Sequence, residues 1–198
     1  AQGATFTLKI QDSRTDIHLP VAGRHNVANA LAATALAWAV GAAIDEIKKG
    51  LTDFQPVAGR MEIISLRNGV FVINDTYNAN PASMAEGLQM LRSLRGRGRG
   101  IAILGDMLEL GGEAEARHRA IGGLLAETGV DRVYLRGRLS PSTAEGALHK
   151  GMSGDQITHF TEPGEILDAL LARLTAGDWV LVKGSRGMKM EEIVNTMI

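Results

Sequence analysis

The chain has 198 residues, 45% of them hydrophobic, no cysteine, and a formal net charge of −1. That length suffices for one large domain, or for one domain and part of another. The lack of cysteine rules out disulfides and thiolate metal sites and fits a reducing compartment, while near-zero charge gives no bulk attraction for nucleic acid or an acidic membrane.

In chain order, Thr5 to Ile10 alternates in the strand manner, and Asp16 to Pro20 gives a second short strand after the polar turn at 11–14, so a hairpin is predicted. The stretch from Gly23 to about Val40 reads as a helix that is alanine- and leucine-rich nearly all round, the pattern of a helix buried in a larger body. The apolar run from Ala28 to Ala43 is interrupted by Asn29 and Thr34 and is too short and too weakly apolar to span a membrane. Gly41 ends the helix, and Ala43 to Leu51 makes a second one, acidic at its start and basic near its end, as the helix dipole favours. The chain starts at Ala1 and reads as strand almost at once, so a piece of a longer protein is expected.

Asp53-Phe54-Gln55-Pro56-Val57-Ala58-Gly59 breaks the pattern and marks an expected domain boundary, with residues 1–55 before it and 56–198 after it. Few apolar contacts are expected to cross it, and Arg60 is expected at or beside a cleft, reaching a phosphate or ribose or else pairing with a local acid. Beyond it Met61–Leu66 and Val70–Asp75 read as strands joined at Asn68-Gly69. Strands then alternate with helices: helix Pro81–Leu94, strand Ile101–Leu104, helix Glu113–Glu127, strand Arg132–Leu135, helix Thr143–His149 and strand Ile157–Phe160. Helix Pro163–Leu174, strand Trp179–Val182 and helix Met188–Met197 complete the chain. This alternation predicts an α/β fold with a mostly parallel sheet, one antiparallel strand from the Met61–Asp75 hairpin at its start, and helices on both faces. The Arg-Gly tract at 95–100 lacks interleaved aromatics and falls where a turn is due, so a solvated turn is expected rather than an RNA contact.

Three strand-to-helix crossovers carry the polar chemistry, and in such sheets ligands bind at the carboxyl ends of the strands. The first, Asp75-Thr76-Tyr77-Asn78-Ala79-Asn80-Pro81, packs an acid, a phenol and two amides into one turn. Pro81 suits the first helical position and Asn80 the N-cap before it. Capping alone does not account for all four groups, so Asp75 and Asn80 are expected to serve substrates rather than the fold. In the second, Leu104 to Gly111, Asp106 and Glu109 could hold a magnesium or a substrate amine, or could accept backbone N–H bonds; the structural role is favoured. The third, Val182 to Lys189, sets glycines, Ser185 and the cations Lys183, Arg186 and Lys189 at a helix start, a natural anion site. No Walker A sequence occurs anywhere in the chain. His25, Asn26 and Asn29 form a fourth group, able to pair with a purine edge or simply to cap.

In this order, the stretches Gly23-Arg24-His25-Asn26-Val27-Ala28-Asn29, Gly59-Arg60-Met61, Asp75 to Pro81, Leu104 to Gly111 and Lys183-Gly184-Ser185-Arg186 resemble the Mur ligases. The Tyr77-Asn78-Ala79-Asn80-Pro81 run points within that family to the branch that adds D-alanyl-D-alanine to UDP-N-acetylmuramoyl-tripeptide. The resemblance implies an ATP-dependent, amide-forming ligase of peptidoglycan precursor synthesis, cytoplasmic and a monomer when intact, acting on small molecules and not on nucleic acid or membrane. It implies three domains: one for the UDP-sugar, a central ATPase, and a C-terminal Rossmann-like domain. Residues 1–55 would be the end of the central domain and 56–198 the last.

By the same resemblance His25, Asn26, Asn29, Arg60 and Asp75 would bind ATP, the first three near adenine. Tyr77, Asn78, Asn80, Lys183, Ser185 and Arg186 would bind substrate. The ATP and Mg2+ machinery, a Walker loop and a modified lysine, would lie upstream, so no metal ligand or catalytic group is assigned here. The rivals are a sister ligase adding a single amino acid, a folylpolyglutamate-synthetase-like enzyme, and a non-catalytic nucleotide-binding or interaction domain.

Overall fold

The computed structural model describes residues 3–21, 23–55 and 57–198, the side chains of Arg24 and His25 excepted. The chain divides into two compact units, Ala1–Val57 and Ala58–Ile198. In the first, β1 (Ala4–Ile10) and β2 (Ser13–Leu19) form an antiparallel hairpin, a two-stranded sheet of its own. Two helices follow, α1 (Arg24–Ala39) and α2 (Ile44–Thr52). The small core is Leu8, Ile17 and Ile47, with Ala37 packed against it.

The expectation of a buried α1 needs correction within this unit. Ala30 and Thr34 are buried, but Leu31, Leu36, Trp38 and the following Val40 are exposed. A two-stranded sheet and one short helix offer too little apolar surface to cover a helix that is apolar on most faces.

The second unit is a six-stranded sheet in the order β3-β4-β8-β5-β6-β7. Its strands are β3 (Glu62–Ser65), β4 (Phe71–Asp75), β5 (Gly100–Gly105), β6 (Arg132–Arg136), β7 (Ile157–Phe160) and β8 (Trp179–Lys183). Only β3 runs antiparallel to its neighbour; every other pair is parallel, so the predicted α/β class and the single antiparallel strand are observed. Helices α3 (Pro81–Leu94), α4 (Ala114–Glu127) and α5 (Ser140–His149) cover one face, meeting Ile73, Ala102, Leu104, Val133, Leu135 and Leu181. Helices α6 (Gly164–Leu171) and α7 (Glu191–Met197) cover the other, meeting Val72, Ile101, Ile103, Val180 and Val182. Residues one apart along β5 therefore serve opposite cores, and that double burial is why the central strands read as continuous apolar runs. Among the described residues no helix is long and apolar enough to cross a membrane.

The Arg-Gly tract is the expected turn, with Gly96, Arg97 and Arg99 exposed, and two of its arginines also tie it to the body of the unit. Arg95 pairs with Asp131 at 2.6 Å, and Arg99 grips the buried Asp178 while donating to the Arg173 carbonyl. Burial opposes ionisation of Asp178, but the Arg99 guanidinium and the Thr175 N–H outweigh it and hold the carboxyl below its ordinary range.

At the start of α3, the Asn80 side chain accepts from Ser83 N at 2.9 Å, Ser83 Oγ accepts from Asn80 N at 3.1 Å, and Pro81 takes the first turn. Asn80 thus holds the fold, contrary to the expectation that it serves substrates alone. Asn80→Ala should destabilise the chain by about 1 kcal/mol in urea unfolding. An unchanged midpoint would show that the cap contributes nothing.

Candidate functional site at the carboxyl edge of the sheet

Because β4, β8 and β5 are neighbours and parallel, the crossovers that follow them leave the sheet at one edge. Asp75 and Lys183 end β4 and β8 as register partners. Their side chains form a buried ion pair, Lys183 being only 1% exposed. Lys183 also donates to the Asn78 carbonyl at 3.0 Å, and the second oxygen of Asp75 accepts from Met61 N at 3.1 Å. Two charges removed from water need this geometry and these extra bonds to be tolerated. The expectation that Asp75 does not hold the fold is therefore corrected, and the Lys183 ammonium is committed to protein partners.

Ser185 joins all three crossovers. Its hydroxyl donates to the Ala79 carbonyl at 3.3 Å and accepts from Leu108 N at 2.9 Å, while its own N–H donates to the Asp106 carbonyl at 3.1 Å. Asp106 is buried and accepts from Leu139 N with both oxygens, at 3.0 and 3.2 Å, tying the loop after β5 to the loop after β6. Gly137 lies against that carboxylate at φ +119°, where an added Cβ would come within 2.3 Å of the Asp106 carboxyl carbon, so only glycine fits. Of the roles open to Asp106 on sequence, the structure gives it the loop-holding one.

His118 did not stand out in the sequence. It is buried one turn into α4, with Nδ1 2.7 Å from the Ala114 carbonyl and Nε2 3.0 Å from Met107 N. A carbonyl at one nitrogen and an N–H at the other fix the tautomer: Nδ1 carries the proton and Nε2 accepts. A histidine four residues into a helix that follows a glycine-rich loop was the available signal. Among the described residues, no three His, Cys, Asp or Glu side chains form a group that could hold a metal ion.

Over this scaffold lies a pocket of about 560 Å3, lined by Tyr77, Asn78, Asn80, Glu109 and Arg186 together with the apolar Leu108 and Leu110. The Tyr77 ring is 40% exposed, with the Arg60 guanidinium 4.1 Å and the Arg186 guanidinium 5.7 Å from its centroid. Arg60 is placed there by its surroundings, since Tyr77 N donates to the Gly59 carbonyl at 2.9 Å and Met61 N binds Asp75. Glu109 sits in the left-handed region at φ +64°, a strained conformation for a non-glycine residue and one that gathers at ligand-binding turns. Two guanidiniums on an aromatic plate, two exposed amide residues and one carboxylate suit a polar ligand carrying an anion and an amine.

The structure thus brings together Arg60, Tyr77, Asn78, Asn80 and Arg186 at the surface, with Asp75, Lys183 and Ser185 beneath them. Asn26 and Asn29 lie in the first turns of α1 in the other unit, half-buried and exposed respectively. The side chain of His25 lies outside the described residues.

The family described as "Mur ligase, glutamate ligase domain" matches residues 59–186, from the glycine before Arg60 to Arg186 itself. The UDP-N-acetylmuramoyl-tripeptide–D-alanyl-D-alanine ligase of Bacillus subtilis is 40% identical over 197 residues, and that of Escherichia coli is 38% identical over 201. Each alignment takes in 100% of this chain and 42% of the relative, so the chain spans well under half the length of these enzymes. A crystal structure of MurF from Acinetobacter baumannii superposes with a TM-score of 0.85 at 34% identity, over 99% of this chain and 42% of that one. With the family match covering most of the chain, both ends of the crossover site included, this protein belongs to the Mur ligase family.

Proposed function

We propose that this chain works within an ATP-dependent ligase that joins D-alanyl-D-alanine to UDP-N-acetylmuramoyl-tripeptide in peptidoglycan precursor synthesis. In that reading residues 1–55 are the end of a central ATP-binding domain and 56–198 the C-terminal domain, and the enzyme is cytoplasmic and monomeric. The observation that carries it is the convergence of the Tyr77–Asn80 run and the Arg186 loop on one pocket, in a chain 40% identical to a ligase of that name.

The reaction divides into two steps. ATP phosphorylates the terminal carboxylate of the tripeptide; the dipeptide amine then attacks the acyl phosphate, and the tetrahedral intermediate collapses to an amide and free phosphate. Both steps depend mainly on positioning and on stabilising charge. The exposed guanidinium of Arg186, with Arg60 beside it, binds an anion, the dipeptide carboxylate or a nucleotide phosphate. Tyr77 supplies the plate on which they lie, and Asn78 and Asn80 offer amide contacts at its rim. Glu109 holds the dipeptide amine. Asp75, Lys183, Ser185, Asp106 and His118 are positioning residues that fix the three loops. Asn26, Asn29 and His25 contribute to the adenine site. Magnesium would serve the phosphoryl transfer, but the described residues do not fit it as a ligand set, and no step is routed through it.

Amide chemical-shift mapping of the 15N-labelled chain tests the reading. D-alanyl-D-alanine at millimolar concentration should shift Tyr77, Asn78, Glu109, Arg186 and Gly187 and leave the opposite sheet edge unmoved. Equal shifts with D-alanine or L-alanyl-L-alanine would favour a sister ligase, and no shifts there would favour a non-catalytic domain.

A further inference from the structure

The Arg-Gly tract has no part in the carboxyl-edge site, and it leads to a second cavity at the other end of the same strands. This cavity, about 420 Å3, lies where β5 and β6 begin and α6 ends. Its volume is in the range of small-molecule sites. Ile101, Tyr134 and Leu170 are all at least 94% buried and form its apolar wall, with half-buried Leu174 beside them. They belong to the same core that α6 and α7 close, so the wall is rigid rather than a loose surface patch.

The charges at the rim do not cancel. Arg99 is neutralised by Asp178, and Asp131 by Arg95. Arg132 uses one guanidinium nitrogen on the Asp155 carbonyl, leaving the rest of its fork unused by that bond. Arg173 lines the cavity, its exposed guanidinium meeting no carboxylate among the described residues. Arg173 thus stands over this wall without a carboxylate partner, while Arg132 beside it lies in the field of the exposed Asp155 carboxylate. The six-residue β5 separates this edge from the carboxyl-edge pocket by about 17 Å, at the usual rise per strand residue.

We propose that this amino-edge cavity is a second binding site, for a small organic anion with an apolar body, such as an aromatic or branched aliphatic phosphate or carboxylate. The body lies against Ile101, Tyr134 and Leu170, and the anion is gripped by the forks of Arg132 and Arg173, which suit planar or tetrahedral oxyanions. Neither half of such a ligand is enough. An inorganic anion gains only an exposed ionic contact, and an uncharged ring leaves the Arg173 guanidinium without an anion at its edge.

The test uses the full 15N-labelled chain with 1-naphthyl phosphate as probe, and 1-naphthol and inorganic phosphate as the two halves. Saturable shifts are expected at Ile101, Tyr134, Leu170 and Leu174, with at least tenfold weaker binding of either half. Arg173→Glu should weaken the probe at least tenfold at an unchanged melting temperature, its side chain being exposed, and Arg132→Gln should weaken it at least tenfold while losing only the Asp155 carbonyl contact from the fold. D-alanyl-D-alanine should not compete, so the outcome is independent of the ligase reading. The proposal is overturned by phosphate or naphthol binding as tightly as the probe, by shifts confined to the apolar side of α1, or by folded variants that bind as the parent does.

Discussion

Replacing Asp75 with alanine is expected to destabilise the chain by about 3–5 kcal/mol, because it leaves the Lys183 ammonium buried without its counter-charge. In a unit of this size that lowers the melting temperature by roughly 10 °C or more. The paired change Asp75→Leu with Lys183→Met should recover most of the loss, since removing both charges removes the desolvation penalty with them. Lys183→Met alone should cost less than Asp75→Ala. It leaves a carboxylate that still accepts the Met61 N–H, whereas the alanine leaves the more deeply buried ammonium only the Asn78 carbonyl. Urea unfolding followed by circular dichroism measures all three. A parent-like Asp75→Ala, or a double variant no better than the single, would remove the ion pair from its place as the foundation of the site.

That pair also marks where sequence reading stops. The order of strands and helices was legible from Thr5 to Met197, because apolar runs, Asn-Gly and Pro81 act locally. The insertion of β8 between β4 and β5 was not, since alternation along a chain says nothing about which parallel strands become neighbours. Asp75 and Lys183 are 108 residues apart, and only that insertion makes them partners. Pocket-lining and fold-holding residues therefore looked alike in the sequence: a polar group after a strand. Tyr77 and Arg186 emerged exposed, whereas Asp75, Lys183, Ser185 and Asp106 emerged buried in bonds between loops. Asn80 does the capping its position allowed while also lining the pocket. Arg60 was singled out for a cleft, but the stacking on Tyr77 needed the turn of Gly59 and Met61 to be seen.

The second large effect is catalytic silence. Incubated with ATP, magnesium, UDP-N-acetylmuramoyl-tripeptide and D-alanyl-D-alanine, the 198-residue chain is expected to release no phosphate above background. Phosphoryl transfer needs a phosphate cradle with a cation to offset charge on the transferring group. The chain contains no Walker sequence, and the most deeply buried cation of its crossovers, Lys183, is held by Asp75. Turnover near ordinary enzymatic rates, about 1 per second or faster, would overturn the division of labour between this chain and the remainder of a ligase.

The central claim, that the carboxyl-edge crossovers serve a dipeptide-adding ligase, is tested most directly by exchange. The chain is substituted for the equivalent 42% of the Bacillus subtilis relative, and phosphate release is measured with D-alanyl-D-alanine and with single amino acids. The account predicts release that depends on the dipeptide, and at least a tenfold loss of kcat/KM on Arg186→Ala with stability unchanged. A folded chimera that is silent with the dipeptide, that prefers a single amino acid, or that is indifferent to Arg186 would contradict it.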